Sequence, residues 1–412
     1  MRFFYTLAVQ CYRLSIFIAS RWNGKAKKWI DGRNDILGTL RENADDRQPV
    51  LFHCASLGEF EQGKPLMDRM KKENQTLKIW VTFFSPSGYE VRKNDPVADV
   101  VTYLPIDTPY YARKFVEIVN PSHVFFIKYE YWYNLMEVLA DNKIPFYYVS
   151  AIFRPNQIFF RKTGGWFAKQ LRKANYFFVQ NEDSKRLLHQ IDIDNVSVTG
   201  DTRFDRVHAI ASQQIELDFV KEFKSDAKLM VAGSTWPPDE DVLARLLTVL
   251  RSYSLKYKII IAPHLVDENH IENILKKFED FNVIRYTKME EKSLEDAEVF
   301  IVDQIGLLSR IFQYSDVSYV GGGFETGLHN ILEPAVYGVP LFFGPQYDKF
   351  NEATALVELG AAFPVTKQEE LLEKIVDFEQ NGDSYRKVCE IAKEYVRQNV
   401  GAVDRIIDKI EK

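Results

Sequence analysis

The chain has 412 residues, 53 basic and 58 acidic, for a formal net charge of −5 at pH 7, and 46% of it is apolar. That length predicts two or three domains, so much apolar material excludes a disordered protein, and the acidic balance argues against a general nucleic-acid binder. Cys11, Cys54 and Cys389 lie far apart with no Cys-x-x-Cys pair, which argues against a disulfide framework or a zinc site and fits a reducing cytoplasm.

The charge is uneven from the start. Residues 1–30 hold Arg2, Arg13, Arg21, Lys25, Lys27 and Lys28 and no acid. Residues 3–19 are mostly apolar. On a helical wheel Arg2, Thr6, Gln10, Arg13 and Ser20 fall in one narrow polar stripe. A span needs ~20 apolar residues, and an arginine at mid-depth is costly. A secretory signal is disfavoured because Arg13 splits the apolar run and no small-x-small cleavage site is evident. A buried core helix stays open. The preferred reading is an interfacial helix followed by basic residues that meet anionic headgroups. Trp22 and Trp29 suit the headgroup zone.

Beyond residue 49, short β-branched or aromatic runs alternate with amphipathic stretches. Strands are expected at 50–54, 77–83, 122–127, 146–150 and 175–179, with helices at 60–73, 110–118 and 183–190. The second half repeats the style, with strands at 228–233, 257–262, 281–286, 298–302, 316–320 and 340–343. Its helices are expected at 239–253, 267–279, 330–337 and 367–380. Such alternation implies parallel sheets covered on both faces, here as two Rossmann-like domains meeting near 205–215. Ligands of such sheets bind beyond the carboxyl ends of the strands, which makes a cleft between the domains the default site.

Several residue groups follow strands. His53-Cys54-Ala55-Ser56-Leu57-Gly58-Glu59 places a carboxylate at a helix start, either as a general base or as half of a Ser56–Glu59 capping box. Tyr129–Asn134, Gly200–Asp205, Ser234–Asp239 and Ala262–His264 follow other strands. The longest group runs from Gly321-Gly322-Gly323 through His329-Asn330-Ile331-Leu332-Glu333-Pro334. Its glycines and following helix suit a phosphate or nucleotide, with Glu333 on ribose hydroxyls. Asn330 and Glu333 also have the spacing of an N-cap pair. No metal-ligand motif, Walker A loop or serine-hydrolase elbow is present.

Taken in order, HCASLGE at 53–59, YEYWYN at 129–134, GDTRFD at 200–205, AGSTWPPDED at 232–241 and GGGFETGLHNILEPAVYGVPLFFGP at 321–345 resemble the 3-deoxy-D-manno-octulosonic acid (Kdo) transferase family of Gram-negative bacteria. The resemblance covers nearly the whole chain. It implies the GT-B glycosyltransferase architecture, an α/β fold of two Rossmann-like domains. It also implies inverting, metal-independent transfer of Kdo from CMP-Kdo to a lipid A precursor (lipid IVA), without a cofactor. The setting implied is the cytoplasmic face of the bacterial inner membrane, with the protein peripheral or monotopic.

The domains expected are a membrane-anchoring segment over 1–30, an acceptor-binding domain over 31–207 and a CMP-sugar-binding domain over 208–412, whose last helix is free to return to the N-terminal domain. By position, Glu59 matches the family's general base, and Glu130 and Arg203 match groups that support the transition state. Pro263, His264, Ile305, Gly306, Leu307, Asn330, Ile331, Leu332 and Glu333 match CMP contacts. Arg203 stands where many members carry Lys. The usual Pro-Arg-His is Ala262-Pro263-His264 here, and the usual Met-Gly-Glu is Ile305-Gly306-Leu307. Two other readings stand beside this one: a sugar-nucleotide epimerase of the same fold, and a non-catalytic peripheral nucleotide-binding protein.

Overall fold

The computed structural model describes residues 1–213, 215–291, 293–325 and 327–410, without the side chains of residues 290 and 291. Thr326 of the glycine-rich segment therefore lies outside the described residues. The chain divides into two units, Met1–Arg206 with Val400–Lys412, and Val207–Asn399.

The first unit is built on seven parallel strands: β1 (Val50–Cys54), β2 (Ile79–Phe83), β3 (Val100–Tyr103), β4 (His123–Ile127), β5 (Phe146–Ala151), β6 (Tyr176–Val179) and β7 (Val196–Val198). Their order is β3-β2-β1-β4-β5-β6-β7. β1 and β2 are buried along their whole length, and Val124, Phe125, Phe126 and Ile127 of β4 are 0% exposed. Helices cover both faces of a parallel sheet, which is why these strands read as unbroken apolar runs. Each fully buried Phe or Ile contributes roughly 1.5–3 kcal/mol. The helix Ala402–Ile410 belongs to this unit. Its Ile406 and Ile407 join the same core, and Asp205 accepts from the Gly401 and Ala402 amides at 2.8 and 3.1 Å.

The second unit repeats the plan with β8 (Lys228–Thr235), β9 (Tyr257–Pro263), β10 (Val283–Arg285), β11 (Val299–Ile301), β12 (Val317–Val320), β13 (Leu341–Phe343) and β14 (Ala362–Pro364). The order is β10-β11-β9-β8-β12-β13-β14, again all parallel. Three strands do not figure among the sequence expectations as strands in their own right: β3, β7 and β14. All three are sheet edges of three or four residues. An edge is covered less completely, so its apolar run is shorter.

The N-terminus is helical in three pieces: α1 (Arg2–Ala19), α2 (Gly24–Asp31) and α3 (Ile36–Asn43). No residue of α1 is buried, which excludes the core-helix reading. The N-terminal end of its polar stripe, Arg2 and Thr6, faces inward, whereas Gln10 and Arg13 are exposed. Arg2 Nε donates to Asn134 Oδ1 at 2.9 Å, Asn134 Nδ2 donates to Thr6 Oγ1 at 3.2 Å, and the Tyr5 hydroxyl donates to Asp107 at 2.6 Å. Asp107 is 3% exposed and also accepts from the Asn134 and Leu135 amides. The apolar face points outward, with Phe3 72%, Phe4 65%, Leu14 58% and Phe17 47% exposed. Trp22 is 74% exposed, whereas Trp29 is 4% exposed and packs among Tyr12, Phe84 and Arg33. Trp29 is therefore a core residue rather than a headgroup residue. No described helix is long and apolar enough to cross a membrane.

Candidate functional site

In the first unit the three residues singled out by sequence gather at the carboxyl ends of β1, β4 and β7. Helix α4 (Leu57–Glu73) starts directly after β1. Ser56 is its N-cap but makes no side-chain cap bond. Glu59 alone turns back, accepting a short hydrogen bond from the Ala55 amide. The Ser56 amide also acts on the Glu59 carboxylate, which is the half of the expected capping box that is present, and Glu59 is 8% exposed. Burial, then the nearby charge of Glu130, push it up to about 8; the Ala55 amide and Lys128 oppose this.

Glu130 follows β4. Its carboxylate accepts from Trp132 Nε1 at 2.8 Å and lies 3.2 Å from His53 Nε2. His53 is 0% exposed, and its other nitrogen meets Thr82 Oγ1 at 2.9 Å. Trp132 Nε1 also lies 2.8 Å from His53 Nε2, so the imidazole and the indole together back Glu130 from behind.

Arg203 follows β7. Asp201 holds it through Nε and Nη2, at 2.8 and 2.7 Å. Gln62 of α4 donates to the other Asp201 oxygen at 2.6 Å, tying this loop to the Glu59 helix. Burial opposes ionisation of Asp201, but Arg203 holds its carboxyl below the ordinary range.

Lys128 sits among these groups, its charge acting on both Glu59 and Asp201. It has φ +63°, as Ser150 in β5 and Ser234 in β8 have φ +51° and +55°. A left-handed non-glycine residue costs about 1–2 kcal/mol. Such strain at the carboxyl ends of strands gathers where ligands of this fold class bind. No sequence pattern marks Lys128.

In the second unit Pro263 ends β9, and His264 directly after it lies in a stack. Its ring is 4.8 Å from Trp236 at 21° and 4.6 Å from His329 at 28°. Trp236 Nε1 donates to His329 Nε2 at 3.1 Å, which leaves the His329 proton on Nδ1. Burial, then the His264 ring, push His329 down to about 4, and burial lowers His264. Both rings are neutral at pH 7. They offer flat faces and neutral donors rather than positive charge. Trp236 and His329 stand inside quoted motifs but were not among the residues expected to bind.

The glycine-rich turn after β12 differs from a bare phosphate cradle. The Gly321, Gly322 and Gly327 amides are already engaged, by Gly233 O, Asp239 Oδ2 and Gly322 O at 2.9, 3.0 and 2.9 Å. A Cβ on Gly323 would meet Gly344 N at 2.7 Å, and Gly322 has φ +92°. These glycines let main chain pack on main chain. Asp239, 0% exposed, accepts from the Gly322 and Trp236 amides and from the Tyr319 hydroxyl.

Asn330 and Glu333 do pair, with Nδ2 donating to Oε1 at 3.1 Å, and Asn330 Oδ1 accepts from the Leu332 amide. The helix expected over 330–337 is Leu332–Ala335, with Ile331 as its N-cap. Ile331 and Leu332 are core, at 0% exposure. Ile305 is 76% exposed on the turn after β11, where Gly306 has φ +101° and Leu307 opens the next helix. No hydrogen bond or ring contact joins Ile305, Gly306 or Leu307 to the Asn330 group among the described residues.

Comparison with known proteins agrees with both the fold and the motifs. A family model described as 3-deoxy-D-manno-octulosonic-acid transferase (kdotransferase) matches residues 32–206. A 3-deoxy-D-manno-octulosonic acid transferase of Haemophilus influenzae is 25% identical over all of this chain and 98% of its own length. One of Aquifex aeolicus is 27% identical, covering 80% of this chain and 85% of its own. Among solved structures, the UDP-GlcNAc 2-epimerase of Neisseria meningitidis superposes with a TM-score of 0.62 at 18% identity, over 88% of this chain and 99% of that one. MurG of Acinetobacter baumannii does so at 0.54 and 11% identity, over 89% and 99%. These likenesses concern the fold, which is the GT-B fold of glycosyltransferases. Motifs, fold and relatives are in accord, and the chain is similar to Kdo transferases, by the family model over residues 32–206 and by these relatives over most of its length.

Proposed function

We propose that the protein is an inverting glycosyltransferase that moves Kdo from CMP-Kdo to a lipid A precursor, lipid IVA, at the cytoplasmic face of the inner membrane. Residues 31–207 take the acceptor and residues 208–412 take the CMP-sugar. The observation that carries this reading is the carboxyl of Glu59, buried after β1 and pushed up to about 8 by burial and the neighbouring Glu130. A general base works best with a pKa near the working pH.

Glu59, deprotonated, takes the proton of the acceptor hydroxyl. That oxygen bonds to the anomeric carbon of Kdo as the bond to the CMP phosphate breaks on the opposite face, and CMP leaves with the electron pair. Arg203 and Glu130 order the charges around the transition state. Pro263, His264, Ile305, Gly306, Leu307 and Asn330–Glu333 hold the CMP moiety. The outward apolar face of α1, with Trp22 and the basic residues after it, supports an interfacial anchor in residues 1–30.

Glu59→Ala is expected to fold, to bind CMP-Kdo and to lose transfer, read by mass spectrometry of products from CMP-Kdo and tetraacylated precursor. Near-normal transfer by that variant overturns the assignment of the base.

A further inference from the structure

Where α1 and α2 meet the body, the structure encloses a small cavity. It offers about 80 Å³ to water centres. One water needs ~10–15 Å³ on that measure, so a tetrahedral oxyanion fits. The polar residues that line it are Arg13, Arg33, Asn34 and Tyr111, and Trp29 and Ile106 supply apolar walls. None of its lining residues is acidic.

Arg33 is the unusual member. It donates to four main-chain carbonyls, Nε to Leu104, Nη1 to Trp29 and Nη2 to both Phe83 and Phe84, at 2.9, 3.1, 3.5 and 2.9 Å. Its guanidinium also lies 4.0 Å from the Trp29 ring and 4.7 Å from that of Tyr103. All these partners are neutral, and burial pushes the group down to about 9. Buried charges are normally paired. Arg13, at the exposed mouth of the cavity, forms no ion pair among the described residues. Two guanidinium groups at one cavity without a carboxylate leave room for an external anion. The cavity sits beneath α1, whose other side presents Phe4, Leu14 and Phe17 to the surroundings.

We infer that the Arg13–Arg33 cavity binds a phosphate monoester carried by a lipid. The inference rests on the interfacial reading of α1 and is independent of sugar transfer. The lipid supplies both halves of the match, acyl chains for the outer face and a doubly charged phosphate for the cavity.

The test is retention of the full chain on vesicles of phosphatidylcholine alone and with one part in ten phosphatidate. Arg33→Gln strands four carbonyls and risks misfolding, so Arg13→Gln is the informative variant and Lys25→Gln is the control for diffuse charge. A single diffuse charge changes retention about fivefold; loss of a charge-assisted bidentate contact changes it about tenfold or more. The phosphatidate-dependent gain should therefore fall more than tenfold in Arg13→Gln and about fivefold or less in Lys25→Gln. Equal losses in the two variants overturn the site in favour of diffuse attraction. A calorimetric titration with inorganic phosphate separates the sources: an Arg13-dependent heat without any Arg13-dependent phosphatidate gain overturns the lipid assignment. Failure of the parent chain to bind pure phosphatidylcholine overturns the α1 reading instead.

Discussion

At the residue scale, Glu59 couples stability and activity to pH. Its folded-state pKa is raised from 4.5 to about 8, by burial and then by the charge of Glu130. Between those values the native protein keeps a proton that the unfolded chain has lost. The contribution of Glu59 to stability is therefore greatest below about pH 4.5 and declines as pH rises through 8. Glu59→Gln should flatten that decline, seen as a melting temperature that depends less on pH across this window. Activity runs the other way, because only the ionised base accepts a proton. The kcat/KM profile should climb to a plateau above about pH 8. Glu130→Gln removes one cause of the shift and should move this rise to lower pH, whatever it does to the plateau. A rise left in place by Glu130→Gln would assign the limb to another group. The sequence placed Glu59 after a strand at a helix start, and geometry agrees. It could not reveal Lys128 or the His53–Trp132 backing of Glu130, because those contacts join residues of different strands.

At the element scale, the turn after β12 depends on a carboxylate from another segment. Asp239 holds the Gly322 and Trp236 amides through one oxygen and the Tyr319 hydroxyl through the other. Asp239→Ala leaves two amides without an acceptor and should cost about 2–4 kcal/mol, measured by denaturant unfolding. Asp239→Asn should cost less than about 1 kcal/mol. Its carbonyl can serve both amides, and its NH2 can donate to a Tyr319 hydroxyl that now accepts. Burial already raises the Asp239 pKa, so the ionised form is not what the site prizes. Equal losses for the two variants would mean that charge, not hydrogen-bond pattern, holds the turn. The central strands of both sheets are legible as apolar runs, since both their faces are covered. The edge strands β3, β7 and β14 are not. Nor is the true use of the glycines, which depends on Gly344 and Ser234 approaching from elsewhere.

At the scale of the whole molecule, the basic head becomes a helix docked by its polar side. The wheel isolates Arg2, Thr6, Gln10, Arg13 and Ser20 as a stripe but cannot say what the stripe meets. Asn134, more than a hundred positions away, meets Arg2 and Thr6 of the stripe, and Asp107 meets the neighbouring Tyr5. Deleting residues 1–30 should therefore do two things at once. It removes the exposed apolar face, and it strips Tyr5 from Asp107 and Trp29 from the core, so retention on membranes and melting temperature should both fall. Phe4→Ser, Leu14→Ser and Phe17→Ser combined separate the two effects. These side chains are 65, 58 and 47% exposed, so the fold should be unaffected. Burying each in lipid is worth about 1.5 kcal/mol or more, which predicts a fall in membrane partition of at least about a thousandfold. Sedimentation with vesicles and a thermal melt on the same sample give both readings. A triple variant that melts like the parent yet still pellets fully with vesicles would remove α1 from the membrane contact.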